Sequence, residues 1–136
     1  MSNKITVSAM VNAEKSIVWD CYTNPKHIVH WNFADPSWHC PHAENDMTIG
    51  GKYVARMEAR DGSIGFDFEA NYTKIDMGHS YSYGFGDRFC DVSFIDKDGA
   101  TEIIVSFDPE TEHPVEMQQQ GWQAILNNFK SYTESL

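Results

Sequence analysis

The sequence predicts an α+β domain in which a curved, seven-stranded antiparallel sheet wraps around a long C-terminal helix, with two short helices between strands 1 and 2. Three observations predict it. Hydrophobic residues alternate at period two in runs separated by tight-turn signals. No parallel crossover intervenes among the last six strands, which therefore pair antiparallel. Near the C-terminus the hydrophobic period changes to three and four residues. The 136 residues suit a single domain, 1–136.

The first strand and the two short helices occupy the N-terminal part of the chain. Residues 5–11 alternate between apolar and polar positions, which predicts a half-buried strand. Asn12 is predicted to cap the first helix. Asn24-Pro25 predicts the start of a second helix, because the Asn side chain accepts from free backbone donors and Pro loses no hydrogen bond at the first helical position. That helix is predicted to end near Trp31.

The middle of the chain is predicted to be a meander of strands. The segment 32–41 contains two prolines and two aromatic residues, Phe33 and Trp38, and is predicted to be an irregular loop. Tight-turn sequences then separate the strand-like runs. These are Gly50-Gly51, Asp61-Gly62, Met77-Gly78, Gly86-Asp87 and Lys97-Asp98-Gly99.

The last element is predicted to be a helix of about 20 residues, roughly 30 Å long. Pro114 can open it. A broad apolar face follows at helical spacing, formed by Trp122, Ile125, Leu126, Phe129 and Tyr132. Such a helix is long enough to lie along the whole sheet and cover its apolar face.

A helix about 10 Å wide does not fill a broad concave sheet, so a cavity between the two is predicted. We expect a ligand to contact the large inward side chains that surround it. The candidate ligand-binding residues are Trp38, Tyr53, Met57, Phe66, Phe68, Tyr81, Tyr83, Trp122, Leu126 and Phe129. Aromatic residues at strand period are also ordinary core residues, so plain packing stays open as the alternative.

Composition excludes several classes of partner. Twenty acidic residues against ten basic ones give a formal net charge of -10, which disfavours nucleic acids and anionic membrane surfaces. No run approaches the roughly 20 apolar residues of a membrane span, and the N-terminus lacks a signal-peptide pattern. The three cysteines have no disulfide spacing and are predicted to be free thiols. A cytoplasmic protein is expected.

The polar clusters do not form a recognisable catalytic or metal site. The segment His39–His42 holds zinc-ligand residue types but has no second ligand pair. Asp67 and Glu69 alternate with inward aromatic residues and are predicted to face water. Cys90 is predicted to be a small buried hydrophobe. We therefore predict no catalytic residues, no metal and no cofactor, and the sequence favours a protein without enzymatic activity.

Several stretches resemble a known family. They are Val18-Trp19, Asn24-Pro25 with Trp31, Trp38-His39 with Pro41, Ala43–Asp46, Gly50–Lys52, Met57–Ser63, Gly65–Glu69, Phe107–Pro109, and Gly121-Trp122 with Asn127–Phe129. Together they resemble the bacterial stand-alone members of the activator of heat-shock-protein-90 ATPase homologue family. That family lies within the START-like, polyketide-cyclase or Bet v 1-like helix-grip superfamily.

The resemblance implies the strand order 1-7-6-5-4-3-2 and a pocket between the C-terminal helix and the sheet. It implies binding of a hydrophobic or aromatic small molecule, lipid-like or polyphenol-like. It also leaves two alternatives: an interaction protein that activates a chaperone ATPase, and a cyclase-like or dehydratase-like enzyme. Fold resemblance alone does not choose among these functions.

Overall fold

The computed structural model describes residues 4–136. These residues form seven strands and three helices. In chain order the elements are β1 (Ile5–Val11), α1 (Lys15–Thr23), α2 (Pro25–Trp31), β2 (Trp38–Asn45), β3 (Lys52–Ala59), β4 (Gly65–Asp76), β5 (Ser80–Phe85), β6 (Arg88–Lys97), β7 (Ala100–Phe107) and α3 (Val115–Glu134).

All seven strands belong to one antiparallel sheet in the order β1-β7-β6-β5-β4-β3-β2. Both the predicted fold class and the predicted strand order are confirmed. The meander β2 to β7 runs across the sheet, and β1 returns to pair with β7 at the far edge. The sheet curls into a half-barrel around α3, whose Leu126 and Phe129 join the same buried cluster as the inward strand residues.

The connection between β6 and β7 is a tight turn, as the residues Asp98 and Gly99 predicted. Asp98 and Gly99 form a two-residue connection between β6 and β7, and their φ angles are 58° and 94°. Positive φ at both central positions is the type I′ geometry, whose twist matches that of the flanking strands. The turn therefore fixes the register in which Lys97 faces Ala100.

The helices agree with the sequence predictions except at the start of α1. α2 begins at Pro25, with the Asn24 side chain accepting from the Lys26 backbone N–H at 3.0 Å. The prediction that Asn12 caps α1 was wrong, because α1 begins at Lys15 and Glu14 precedes it without a side-chain cap. The Asn12 backbone N–H instead donates to Glu134 of α3 at 2.8 Å, so this residue connects the end of β1 to the C-terminal helix.

The predicted loop 32–41 was too long. β2 begins at Trp38, and its pairing with β3 is shifted between His39 and His42. Proline has no N–H to contribute to a strand ladder, so it is confined to edge strands and bulges. Pro41 satisfies both conditions, because β2 lies at the edge of the sheet and the irregularity falls at this residue.

Candidate functional site

A cavity of about 190 Å³ lies between the concave face of the sheet and α3. Every strand from β1 to β5 and every helix contributes to its wall, as does β7. The lining side chains are Val7, Tyr22, Trp31, Asn32, Asn45, Tyr53, Met57, Phe66, Phe68, Tyr72, Tyr81, Tyr83, Val105, Trp122, Ile125 and Leu126. The wall is mostly aromatic and aliphatic, and its few polar groups are uncharged.

Eight of the ten residues predicted to bind a ligand line this cavity. They are Tyr53, Met57, Phe66, Phe68, Tyr81, Tyr83, Trp122 and Leu126. Trp38 lies outside the lining and packs edge-on against Phe66, with ring centroids 6.2 Å apart. Phe129 is fully buried behind the wall.

Phe129 supports two lining residues that the sequence did not single out. Its ring packs edge-on against Tyr22 at 4.9 Å and against Trp31 at 5.0 Å. Tyr22 and Trp31 stack on each other at 4.9 Å, and the Trp31 indole N–H donates to the Cys21 carbonyl at 3.0 Å. The short helices therefore hold a rigid aromatic pair against the cavity from the side opposite the sheet.

Other lining residues had a partial signal in the sequence. Tyr72 continues the inward face of β4, and Ile125 belongs to the apolar face of α3. Asn32, by contrast, follows the last residue of α2, and Asn45 is the last residue of β2. At neither position does a periodic pattern indicate which way the side chain points. Only the packing of α2 against β2 places these two amides on the cavity wall.

Two hydrogen-bonded pairs account for part of the polar wall. The Tyr72 hydroxyl donates to Asn45 Oδ1 at 2.5 Å, and Asn45 Nδ2 donates to the Thr23 carbonyl at 2.7 Å. Asn32 Nδ2 donates to the Tyr53 hydroxyl oxygen at 3.3 Å. Both amides are thereby held in fixed orientations by neighbours on the wall.

Three further tyrosine hydroxyls are not paired in this way. Within residues 4–136, Thr133 Oγ1 is the one fully enclosed side-chain polar atom without a hydrogen-bond partner. The hydroxyls of Tyr22, Tyr81 and Tyr83 make no hydrogen bond to that part of the chain either, so they must retain accessible surface. Since all three residues line the cavity, that surface faces the cavity.

Burial keeps the tyrosines protonated. Desolvation raises the pKa of Tyr22, Tyr53, Tyr81 and Tyr83 well above the ordinary tyrosine value, and the proximity of other tyrosine and cysteine groups raises these pKa values further. The hydroxyls consequently remain neutral donors at physiological pH and do not act as phenolate bases.

The cavity reaches solvent beside Phe66 of β4. Phe66 lines the cavity, yet it is 50% exposed, which places it at the boundary with solvent. Met57 pairs with it across the two strands. Entry and exit of a ligand would therefore pass flexible or rotatable apolar side chains.

The His39–His42 segment does not assemble a metal site. His39 Nε2 lies 3.5 Å from Glu58, while His42 Nε2 lies 3.6 Å from Glu44. Cys40 between them is buried, and its thiol donates to the His42 carbonyl. Asp67 and Glu69 are exposed, as the alternation predicted.

Sequence reasoning missed one group of possible metal ligands. Glu110, Glu112 and His113, in the loop before α3, bring ligand atoms within 4.8 Å of one another. Carboxylate and imidazole groups suit a divalent ion such as zinc. Here His113 Nδ1 is already 2.7 Å from Glu110 Oε1, and the group lies away from the cavity.

The cysteines are buried free thiols rather than nucleophiles. Burial raises the pKa of Cys90 to about 12, and it raises the pKa of Cys21 and Cys40 in the same direction. A reactive cysteine needs a lowered pKa and access to its substrate. Their contribution is therefore packing.

With this geometry established, comparison with known proteins identifies the family. The family model described as activator of Hsp90 ATPase homolog 1-like protein matches residues 12–134. The chain belongs to this family. An AHSA1-like protein from Aeromonas hydrophila, solved by NMR, is 37% identical, with a TM-score of 0.92 over 98% of this chain and 93% of that one.

Other solved structures share this fold. A protein from Cytophaga hutchinsonii is 45% identical, with a TM-score of 0.83 over 97% of this chain and 92% of that chain. A protein from Chromobacterium violaceum shares the fold at 19% identity, with a TM-score of 0.84 over 97% and 98% of the two chains. No curated protein matches the sequence significantly. None of the helices in residues 4–136 combines the length and apolarity that crossing a membrane requires.

Proposed function

We propose that this AHSA1-like protein binds a small hydrophobic or aromatic molecule in the cavity between the sheet and α3, in the cytoplasm. The cavity itself carries the proposal. Small-molecule sites are typically concave and apolar, with a few polar groups that orient the ligand. This wall combines aromatic and aliphatic side chains with tyrosine hydroxyls and two amides.

The volume limits the size of the ligand. An apolar cavity of about 150 Å³ holds one benzene ring, and drug-sized pockets occupy about 300–1,000 Å³. The 190 Å³ of this cavity therefore favours a molecule of one or two fused rings, or a short acyl chain. A sterol or a full-length lipid would require the side chains at the opening, such as Phe66 and Met57, to move outward.

Amide chemical shifts test the proposal directly. We would titrate the protein with a panel of one-ring and two-ring aromatics, polyphenols and short fatty acids while recording amide spectra. Shifts concentrated in β3, β4, β5 and α3 are expected for at least one class. If no compound perturbs these elements at millimolar concentration, the proposal is wrong.

A cavity-filling variant supplies the control. Ile125→Trp adds bulk at a lining position on α3, so we expect it to abolish binding of compounds that shift the wild-type spectrum. Ile95→Trp makes the same exchange on β6 outside the lining, where the side chain is 38% exposed. Binding that survives Ile125→Trp but not Ile95→Trp would place the ligand elsewhere.

A second candidate is an interaction that activates a chaperone ATPase, and the description of the matching family favours it. The test is the ATPase rate of a cognate Hsp90 with and without this protein. Stimulation that Ile125→Trp leaves unchanged would assign this activity to the surface rather than to the cavity. No stimulation and no association at micromolar concentration would remove the candidate.

The cavity wall gives less support to a cyclase-like or dehydratase-like enzyme. Acid–base catalysis needs a proton donor and acceptor with pKa values near the working pH. The lining residues include no carboxylate, imidazole or amine, and burial raises the pKa values of the lining tyrosines. Binding without chemistry is therefore the function that the wall suits best.

A further inference from the structure

The tyrosines on the cavity wall have hydrogen-bonding capacity that the protein leaves unused. The hydroxyls of Tyr22 and Tyr81 have no partner within residues 4–136. The Tyr53 hydroxyl accepts from Asn32 at 3.3 Å, which leaves its own proton uncommitted. Buried tyrosine hydroxyls usually have a hydrogen-bond partner. Three free phenolic protons in one cavity therefore indicate that a ligand supplies the acceptor.

These three side chains are neighbours on the cavity wall. Tyr81 and Tyr53 both flank Tyr83, with ring centroids 6.1 Å away in each case. Tyr22 and Tyr81 both pack against Phe94, with ring centroids 5.7 Å and 6.2 Å away. The proximity of Tyr22 also raises the pKa of Tyr53 and of Tyr81. The three phenols therefore lie on one connected part of the wall.

The remaining polar groups on the wall do not supply the missing acceptor. Asn45 Oδ1 already accepts from Tyr72, and Tyr83 lies directly across from Cys90 in the pairing of β5 with β6. No lysine, arginine or histidine lines the cavity, and the chain carries a net charge of -10. A buried anion would therefore lack a countercharge, and burying an unpaired charge is far more costly than burying a neutral acceptor.

We propose that Tyr22, Tyr53 and Tyr81 form a donor site that selects an uncharged, planar ligand carrying a carbonyl oxygen, which accepts hydrogen bonds from their hydroxyls. This inference rests on the proposed function and specifies the chemical class of the ligand. Apolar contacts with Trp122, Leu126 and Val105 would hold the ring system, while the carbonyl would fix its orientation.

A matched set of ligands tests the inference. Methyl naphthyl ketone has two fused rings and a carbonyl, isopropenylnaphthalene has the same shape without the acceptor, and naphthoate carries a negative charge. We expect the ketone to bind about five- to tenfold more tightly than its isopropenyl isostere, as one net hydrogen bond predicts. Naphthoate should bind more weakly than the ketone. Affinities would be measured by amide shifts.

Variants then assign the difference to the tyrosines. In the triple variant Tyr22→Phe, Tyr53→Phe and Tyr81→Phe, the preference for the ketone should fall below about twofold. Tyr132→Phe, which removes a hydroxyl outside the cavity lining, should preserve it. A preference that persists in the triple variant would overturn the inference, as would tighter binding of naphthoate than of the ketone.

Two outcomes separate this inference from the proposed function. If ketone and isostere bind equally, the cavity binds ligands but the donor site is wrong. If neither compound perturbs the cavity residues, both proposals fall. Infrared spectra of the carbon-13-labelled ketone give a readout that needs no variant: hydrogen bonding should lower its carbonyl stretching frequency below the value in hydrocarbon solvent. An unlowered frequency in the bound state would overturn the donor site.

Discussion

At the scale of single residues, neighbouring tyrosines on the cavity wall differ in whether their hydroxyls are paired. Tyr72 donates to Asn45, whereas Tyr81 has no partner in the described part of the chain. Loss of a paired hydroxyl also leaves its buried partner without a hydrogen bond. Loss of an unpaired hydroxyl breaks no hydrogen bond within the protein. The same Tyr→Phe exchange should therefore have different effects at the two positions.

We expect Tyr72→Phe to lower the free energy of unfolding by about 1–2 kcal/mol, because Asn45 Oδ1 loses its donor. Tyr81→Phe should change it by less than about 0.5 kcal/mol, or stabilise the protein slightly. Urea unfolding followed by circular dichroism measures both values. Equal losses in the two variants would show that the Tyr81 hydroxyl has a structural partner.

The sequence could predict which residues line the cavity only where a regular pattern shows which way each side chain points. Tyr53, Phe68, Tyr81 and Tyr83 lie on strands whose alternation assigns each side chain to one face of the sheet. The pattern could not show which hydroxyls would be paired. Pairing depends on Asn32 and Asn45, which come from segments without periodicity.

At the scale of elements, α2 illustrates how much a local signal can specify. Its first residue was predicted, because Asn24 and Pro25 act through contacts within one helical turn, and its end was predicted near Trp31, where it lies. α1 lacks such a signal, since Glu14 precedes it without a side-chain cap. Its position depends instead on long-range contacts such as those of Val18 and Cys21 in the buried core.

The cap of α2 gives a prediction at this scale. Asn24→Ala removes the acceptor for the Lys26 backbone N–H, and it should lower the free energy of unfolding by about 1 kcal/mol. Asn24→Ser keeps a capping oxygen and should retain most of the stability. Thermal or urea unfolding of the two variants checks this. If Ala and Ser are indistinguishable, Pro25 alone determines the start of α2.

The edge strand β2 shows why some boundaries cannot be predicted locally. Its two histidines, cysteine and proline have no strand-forming pattern, yet pairing with β3 makes the segment extended from Trp38 onward. A bulge accommodates Pro41 in this strand. Because β2 is an edge strand with β3 as its one neighbour, the missing N–H of Pro41 breaks no hydrogen bond to a strand on the other side. Tertiary pairing therefore overrides the local composition.

At the scale of the whole molecule, the cavity follows from the curvature of the sheet, and the sequence predicts both. It does not predict how far the short helices close the cavity. Tyr22 and Trp31 narrow it to about 190 Å³ by docking as a stacked pair against Phe129. That arrangement combines three helices, so no pattern within any one of them could indicate it.

The buried tyrosines also give the whole molecule a specific response to alkaline pH. Burial raises the folded-state pKa values of the five lining tyrosines, and raises that of Cys90 to about 12. In the unfolded chain these groups lose their protons near pH 10 and pH 9, respectively. Above those values the folded state binds more protons than the unfolded state, so stability must fall as the pH rises.

We expect stability to be insensitive to these groups below about pH 9 and to fall steeply above pH 10. Each group contributes a slope of up to about 1.4 kcal/mol per pH unit, so five tyrosines and Cys90 together give up to about 8 kcal/mol per unit. Against a typical stability of about 5–15 kcal/mol, the protein should unfold within a few pH units. Near-ultraviolet absorbance should show tyrosine ionisation coinciding with the loss of far-ultraviolet circular dichroism.

A double variant, Tyr22→Phe with Tyr81→Phe, should lower the alkaline slope by about a third, because two of these six proton sites are removed. Tyr132→Phe retains all six and should follow the wild type more closely. If the lining tyrosines instead ionise gradually near pH 10 while the circular dichroism stays constant, water reaches their hydroxyls freely. The cavity would then be a solvent-filled cleft, and its selectivity for an apolar ligand would be lost along with the predicted alkaline transition.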